Sequence, residues 1–461
     1  MLDKNQLEKI LSRALSNGGD FAEIFIERRW NSGISCEENQ IERIISGLDA
    51  GAGIRIISGE STAYGFTNDL SFEGILAVAE VVAKACLMGK KDIILDLRKL
   101  EPRVTFPVEK RPDQVPVDDK VSLVMKANEA ARKLDHRIRQ VTVGYGDVIQ
   151  VVSIANSEGR FVEDRRIRTR LAINAVAVEK DIIQTGYESA GGNVGYELFQ
   201  KINPVELGEK AAKRALLMLS ARPAPAGRMT VVMAGEAGGT MIHEACGHGL
   251  EADLVQKQLS VYANKKGQKV ASELITVIDD ATLPGKYGSF SFDDEGNYSQ
   301  QTVLIEKGVL KDYLYDYLTA KKENRASTGN GRRESYQHRP LPRMTNTFIA
   351  PGDTDPEEII SSTKKGLFVK KMGGGQVNTT TGDFVFDVTE GYLIENGIIT
   401  SPVRGATLTG NGPEVLLKVD MVGNDLGFAI GTCGKDGQGV PVADAQPTIR
   451  IPELIVGGLL D

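Results

Sequence analysis

Apolar and polar positions along the first 220 residues follow two rhythms, one helical and one of period two, and the changes between them mark the elements. Residues 3–16 read as an amphipathic helix, without the apolar stretch of a secretory signal. The run AEIFIE at 22–27 is strand-like within a strand at 21–29. Strands at 40–48, 51–57 and 61–67 follow, then a helix at 71–88. A charged stretch, 101–116, carries Pro102, Pro107, Pro112 and Pro116 and interrupts the pattern. A second unit has a helix at 117–134, strands at 138–145, 148–156, 160–163 and 167–178, and a helix at 204–220. Asn156 and Gly159 bracket a hairpin turn, because both residues tolerate the dihedrals it requires. In 166–171 arginines alternate with Ile167, Thr169 and Leu171, the pattern of a strand with a charged, solvated outer face.

Beyond the proline-bearing linker 221–227 the composition shifts. Of 50 glycines, 18 fall in residues 1–226 and 32 in 227–461. Short strands are expected at 230–234, 274–279, 302–306, 309–315, 384–388 and 390–395, with turn glycines at Gly308 and Gly397. A helix is expected after Gly238–Gly239, running through His243 to about Gln258. The fold class is α+β. An N-terminal α+β domain, 1–226, has sub-units near 1–100 and 117–220, two-lobed or repeated. A mainly β, barrel-like or multi-sheet domain, 227–461, carries the motif helix.

Lys+Arg total 55 against Asp+Glu 62, a net charge of −7 in 461 residues. An acidic chain with only short arginine clusters is a poor fit for phosphate-driven nucleic-acid binding, so no direct nucleic-acid contact is expected. No run approaches the ~18 apolar residues of a membrane span. Four cysteines without a Cys-x-x-Cys pair argue against a disulfide scaffold, and the protein is expected to be cytoplasmic.

The candidate chemistry lies in GTMIHEACGHGLE, residues 239–251, which holds two of four histidines. Imidazoles at His243 and His248, with Glu244 beside the first, suit a divalent metal and a neighbouring general base. The histidines are five apart, and a regular helix would turn the second ring away by about 140°. The helix is therefore distorted, as in a π-bulge, or it ends at the second ligand. Gly247 and Gly249 make that departure cheap. A complete site needs a third protein ligand, and the residues leave Cys433 and His338 on equal terms. Cys86, in an apolar run, reads as a small buried hydrophobe, Cys36 has no ligand pattern, and Cys246 is expected to point away from the metal. Glu251 and Asp253 are candidates to hold the ligand histidines from behind. Tyr336, His338, Arg343 and Asn346 are oxyanion or substrate candidates by type, although Arg343 and Asn346 also suit turn caps. Gly373, Gly374 and Gly375 suit either a backbone surface for an extended peptide or a tight turn.

The segment 243–251 resembles that of the TldD/PmbA metalloprotease family, also called modulators of DNA gyrase. Further blocks match in order: FDDEG at 292–296, GRRESY at 331–336, PRMTNT at 342–347, GGGQV at 373–377, GDF at 382–384, MVGND at 421–425 and CGKDGQ at 433–438. They span most of 227–461, and the likeness is nearest the TldD branch, which keeps the metal motif. The resemblance implies one Zn2+ per chain, held by His243, His248 and Cys433, with Glu244 as catalytic base. It implies a peptidase acting on peptides or unfolded protein segments, working as a homodimer or as a heterodimer with a TldE/PmbA-type subunit. Rival readings are a partner-binding regulator with a structural metal and a small-molecule metal-dependent amidase.

Overall fold

The computed structural model describes residues 2–85 and 96–458. Cys86 and the expected end of the 71–88 helix lie outside the described residues. Asp3 caps the first helix, Lys4–Ala14, through a reciprocal bond with Gln6, and Leu7, Ile10, Leu11 and Ala14 form its buried face.

One seven-stranded sheet organises the N-terminal half. Its order is Ser61–Thr67, Gln40–Ser58, Phe21–Glu37, Ile138–Asn156, Arg160–Glu179 and Arg98–Lys99, with Ile182–Gly192 also pairing Arg160–Glu179. Strands expected at 40–48 and 51–57 are one strand, and so are those at 138–145 and 148–156, and at 160–163 and 167–178. In the first two, glycine does not end a strand whose neighbours pair on both sides. At Gly51 the bare backbone is required, because a Cβ would strike the Tyr336 ring. The strand Ile182–Gly192 has no counterpart in the sequence reading.

Two helix pairs cover different stretches of this sheet. Lys4–Ala14 and Phe72–Ala83 bury Leu11, Ile24, Ile54 and Ile75 in one cluster. Val117–Lys133 and Pro204–Ser220 bury Val124, Val143, Ile173 and Ala211 in another. The two-lobed pattern is thus two helical covers on one continuous sheet.

The C-terminal half combines a closed barrel with an open sheet. Strands Lys365–Val377, Gly227–Met233, Ile449–Gly457, Thr407–Asn411 and Asp383–Glu395 pair in sequence, and the last returns to the first. Closure pairs Lys365–Val377 on both sides over 366–369, with Gly227–Met233 on one and Asp383–Glu395 on the other. The six-stranded sheet runs Val309–Leu310, Gln301–Glu306, Val277–Asp280, Asn346–Ile349, Gln438–Gln446, Gly427–Lys435. The two share a core that includes Val231, Phe384, Leu408, Val442 and the motif residues Met241, Ile242 and Cys246.

The two halves meet through buried ion pairs. Arg55 reaches Glu23 at 2.8 Å and Glu295 at 2.6 Å, and Arg333 reaches Glu23 at 2.5 Å, all with side chains at most 2% exposed. Arg166 bridges Asp164 at 3.0 Å and Asp294 at 2.6 Å. The arginine alternation at 166–171 is therefore not a solvated face. Arg166 and Arg168 are buried because the C-terminal half covers them, while Arg165 and Arg170 remain exposed.

Candidate metal centre

The motif forms a short irregular turn and not a helix reaching Gln258. An α-turn at Thr240–Ile242 widens into a π-turn, His243–Gly247, then tightens into a 3-10 turn, His248–Leu250. The His248 N–H bonds the His243 carbonyl five residues back, so residues five apart stack as residues four apart do in an α-helix. The two rings consequently meet, with centroids 4.9 Å apart and planes at 89°. Gly247 lets the turn pass close to its neighbour, since a Cβ there would collide with the Met344 sulfur. At Glu251 the backbone becomes extended (φ −75°, ψ 122°), and the helix resumes only for Ala252–Gln256.

Each ring is held from behind by a carboxylate. His243 Nδ1 lies 2.8 Å from Asp444 Oδ1, and His248 Nδ1 lies 3.2 Å from Glu251 Oε2. That engages both Nδ1 atoms and leaves the Nε2 atoms for a metal. The Cys433 sulfur is 3.5 Å from His248 Nε2, and one ligand atom from each of His243, His248 and Cys433 lies within 4.8 Å of the others. Two imidazoles and a thiolate, buried and oriented by carboxylates, fit a zinc ion with a fourth position left for water or substrate.

Cys433 sits in the strand Gly427–Lys435, opposite Val440. Arg343 donates to its carbonyl at 2.5 Å and to Gln438 O at 3.3 Å. Two residues on, Lys435 reaches Glu251 at 3.0 Å and Asp253 at 2.6 Å. Burial pushes the Glu251 carboxyl up, but Lys435 and His248 override it and bring it down to about 2. Burial likewise pushes the Cys433 thiol up, and His243 and then His248 bring it down to about 5. His248, depressed by burial, is raised to about 10 chiefly by Glu251, and His243 is raised well above its ordinary value chiefly by Asp444. In the metal-free cluster these directions favour a thiolate facing imidazolium rings. Glu244 is partly exposed beside it, and burial raises its carboxyl.

The other sequence candidates are placed elsewhere or face inward. His338 is outside the three-ligand group, with Nδ1 3.1 Å from Ser335 Oγ. Tyr336 is 4% exposed in the interface with the N-terminal sheet, beside Phe25 and edge-on to Phe66. Arg343 and Asn346 are fully buried. The Asn346 amide donates to Asp280 O at 2.5 Å and Ser289 Oγ at 2.9 Å and accepts from Gly288 N at 3.0 Å, so its hydrogen bonds are made within the fold. Arg343 braces the Cys433 strand and is not a turn cap. Gly373, Gly374 and Gly375 belong to the strand Lys365–Val377, whose register against Asp383–Glu395 shifts between Met372 and Gly375, and not to a tight turn. Cys246 is buried in the shared core, and its thiol is raised by burial alone. FDDEG lies at the ion-paired interface. Sequence reasoning missed Asp444, whose surroundings in 441–446 show no ligand pattern, and Lys435, which lies within the matched CGKDGQ block.

Two carboxylate-braced imidazoles and a thiolate, with a glutamate beside them, define a site of the metal-dependent hydrolase type. Family models match in three consecutive stretches: PmbA/TldA metallopeptidase domain 1 at 22–86, the central domain at 110–219 and the C-terminal domain at 226–458. A Haemophilus influenzae metalloprotease named as a TldD homolog is 36% identical over 448 residues, covering 95% of this chain and 93% of its own. A Methanocaldococcus jannaschii metalloprotease is 38% identical over 458 residues, covering 98% and 99%. A Saccharolobus solfataricus zinc metalloprotease, also named as a TldD homolog, is 28% identical over 460 residues, covering 98% and 99%. The crystal structure of TldE from Thermococcus kodakarensis has the same fold, with a TM-score of 0.79 at 20% identity over 98% of this chain and 100% of that one. The chain belongs to the PmbA/TldD metallopeptidase family. Among the described residues, no helix is long and apolar enough to cross a membrane.

Proposed function

We propose that this chain is a zinc-dependent peptidase that cleaves extended or unfolded polypeptides, with one Zn2+ held by His243, His248 and Cys433. The observation that carries the reading is the convergence of these three side chains, with Asp444 and Glu251 fixing the two rings. A zinc ion bound there supplies Lewis acidity for the attacking water and the scissile carbonyl. Glu244 takes the proton from the water and delivers it to the leaving nitrogen. Its raised carboxyl suits both tasks, since a group of higher proton affinity is the better base. Three protein ligands instead of four favour this over a structural metal in a regulatory protein.

An extended substrate has a backbone to pair with. Strand Lys365–Val377 packs against the π-turn, and it pairs with Gly227–Met233 only over 366–369. Its other residues, Gly373, Gly374 and Gly375 among them, present an edge for a peptide strand in the manner of β-augmentation. This favours a peptide over a small amide. In the same reading residues 1–226 are a scaffold and 227–461 the catalytic domain.

The working form is a dimer in the cytoplasm, with a second copy or with a TldE-type subunit. Residues 42–49 are exposed on both faces of their strand; Ile44, Ile45 and Leu48 there are 50%, 46% and 56% exposed, and Trp30, which pairs with Leu48 from the neighbouring strand, is 41% exposed. An apolar arm of that kind marks a contact surface. The test is zinc content together with cleavage of unstructured peptides in wild type and Glu244→Gln. Zinc-replete wild-type protein that cleaves no peptide, alone or mixed with a TldE-type subunit, would refute the reading.

A further inference from the structure

Two arginine clusters remain outside the metal chemistry, one at 165–170 and one at 332–333. They converge on a cavity of about 400 Å³ between the long N-terminal strands and the hairpin of Gly427–Lys435 with Gln438–Gln446. Thr432 lines it, whereas Cys433, His243, His248 and Glu244 do not. Successive side chains of a strand point to opposite faces, so this space lies behind the metal centre.

Its charges do not balance. Arg168 and Arg332 are only 5% and 3% exposed, yet both bond neutral carbonyls. Arg168 donates to Tyr287 O at 2.9 Å and Ser289 O at 3.3 Å, and Arg332 to Met344 O at 2.5 Å and Pro441 O at 2.7 Å. Arg29 donates to the Asn31 side-chain oxygen at 3.0 Å. Arg170 also lines the cavity. Among the described residues none of the four has a carboxylate at ion-pair distance. Of the three carboxylates in the lining, two are ion-paired with other cations and the third accepts from a backbone N–H. Asp147 pairs with Lys120 at 2.7 Å, Asp294 with Arg166 at 2.6 Å, and Glu334 accepts from Gly439 N at 2.6 Å. Burial and then Arg166 bring the Arg168 guanidinium down to about 10, and burial and then Arg168 bring Arg332 down to about 9. Uncompensated charge in a buried space is costly unless an anion neutralises it.

We propose that this cavity binds a small organic anion carrying phosphate or carboxylate groups. Guanidinium forks match both oxyanions bidentately. The volume falls within the ~300–1,000 Å³ of small-molecule sites, and Tyr145, Tyr287 and Ile45 offer apolar contact to a carbon skeleton. The proposal stands apart from the metal chemistry, since the lining includes none of His243, Glu244, His248 and Cys433, and of the lining residues only Ile45 also belongs to the apolar arm.

Calorimetry on the zinc-loaded protein at fixed ionic strength tests it, with inorganic phosphate, glycerol 3-phosphate and succinate as probes. At least one probe is expected to bind once per chain, and the stronger of the phosphate and succinate arms identifies the oxyanion. Affinity is expected to fall about tenfold in Arg168→Met, the scale of one charge-assisted hydrogen bond. Arg170→Ala, at an exposed position, gives a second reading if Arg168→Met fails to fold. Absence of binding by all three probes overturns the proposal, as does an affinity unchanged in every variant that folds.

Discussion

The Cys433 sulfur lies 3.5 Å from Nε2 of His248, although 185 residues separate them in the chain. The sheet strand that delivers the thiol is braced by Arg343 at the Cys433 carbonyl, and the turn that delivers the imidazole is braced by Glu251. Both halves of the ligand set are therefore fixed before a metal arrives. Cys433→Ala is expected to lose most bound zinc, and His338→Ala to retain it. Elemental analysis of the two purified variants decides, and the opposite pattern would transfer the third ligand to His338.

Glu244→Gln keeps the shape of the side chain and removes its basicity. Fold and zinc content are expected to stay at wild-type levels, while cleavage of an unstructured peptide drops ~10²-fold or more. Undiminished turnover would remove Glu244 from the mechanism.

Asp444 touches only the far nitrogen of His243, so its effect should be on metal retention. Asp444→Asn is expected to weaken zinc binding about 10- to 100-fold, the usual cost of losing a carboxylate behind a ligand histidine. Competition with a chromogenic chelator measures this. An affinity equal to wild type would mean that packing alone orients the ring.

Metal removal should expose a titration. The Cys433 thiol is brought down to about 5, so the stabilisation from its thiolate is present above the ordinary thiol value and lost as pH falls through about 5. His248 is raised to about 10, so its contribution is full below the ordinary imidazole value and lost as pH rises through about 10. The metal-free protein is expected to carry the thiolate–imidazolium pair between these limits. Thiolate ultraviolet absorbance in wild type, against Cys433→Ser, should titrate near the lower limit. Appearance of the signal only in the ordinary thiol range would contradict the pairing.

The exposed arm gives a prediction for assembly. Leu48→Glu adds a charge at a position 56% exposed, so it leaves the core of the chain intact. It is expected to convert a dimer into a monomer in light scattering, with unchanged thermal stability at low concentration. A wild-type monomer, or a dimer indifferent to the substitution, would place the interface elsewhere.

What the sequence revealed was local. His243, Glu244 and His248 lie within six residues, and their five-residue spacing already demanded a distorted helix. Asp444 was invisible because it reaches His243 across 201 residues through parallel pairing of Gln438–Gln446 with Asn346–Ile349. Arg343 and Asn346 looked like reactive groups because their types suit oxyanions, and only the fold shows their donors turned to backbone carbonyls. Arg166 and Arg168 misled for a different reason. Period-two alternation says which face a residue takes, and nothing about whether another layer covers that face. The expected helix to Gln258 broke at Glu251, whose carboxylate is drawn to Lys435 and His248.

The π-turn at His243–Gly247 has a consequence for how such a site can be related to the common four-residue spacing. Removing one residue between Glu244 and His248 would leave His-Glu-x-x-His, which a plain α-helix presents on one face. Relative to that spacing the wide turn accommodates one more residue, with the imidazoles kept in partnership while the following chain is rotated and redirected. That rotation brings Glu251 behind His248 and aims the backbone toward Leu314, with which Glu251 forms an isolated bridge. The redirected chain leaves the third ligand to be supplied from far along the sequence, by Cys433 on a strand 185 residues beyond His248.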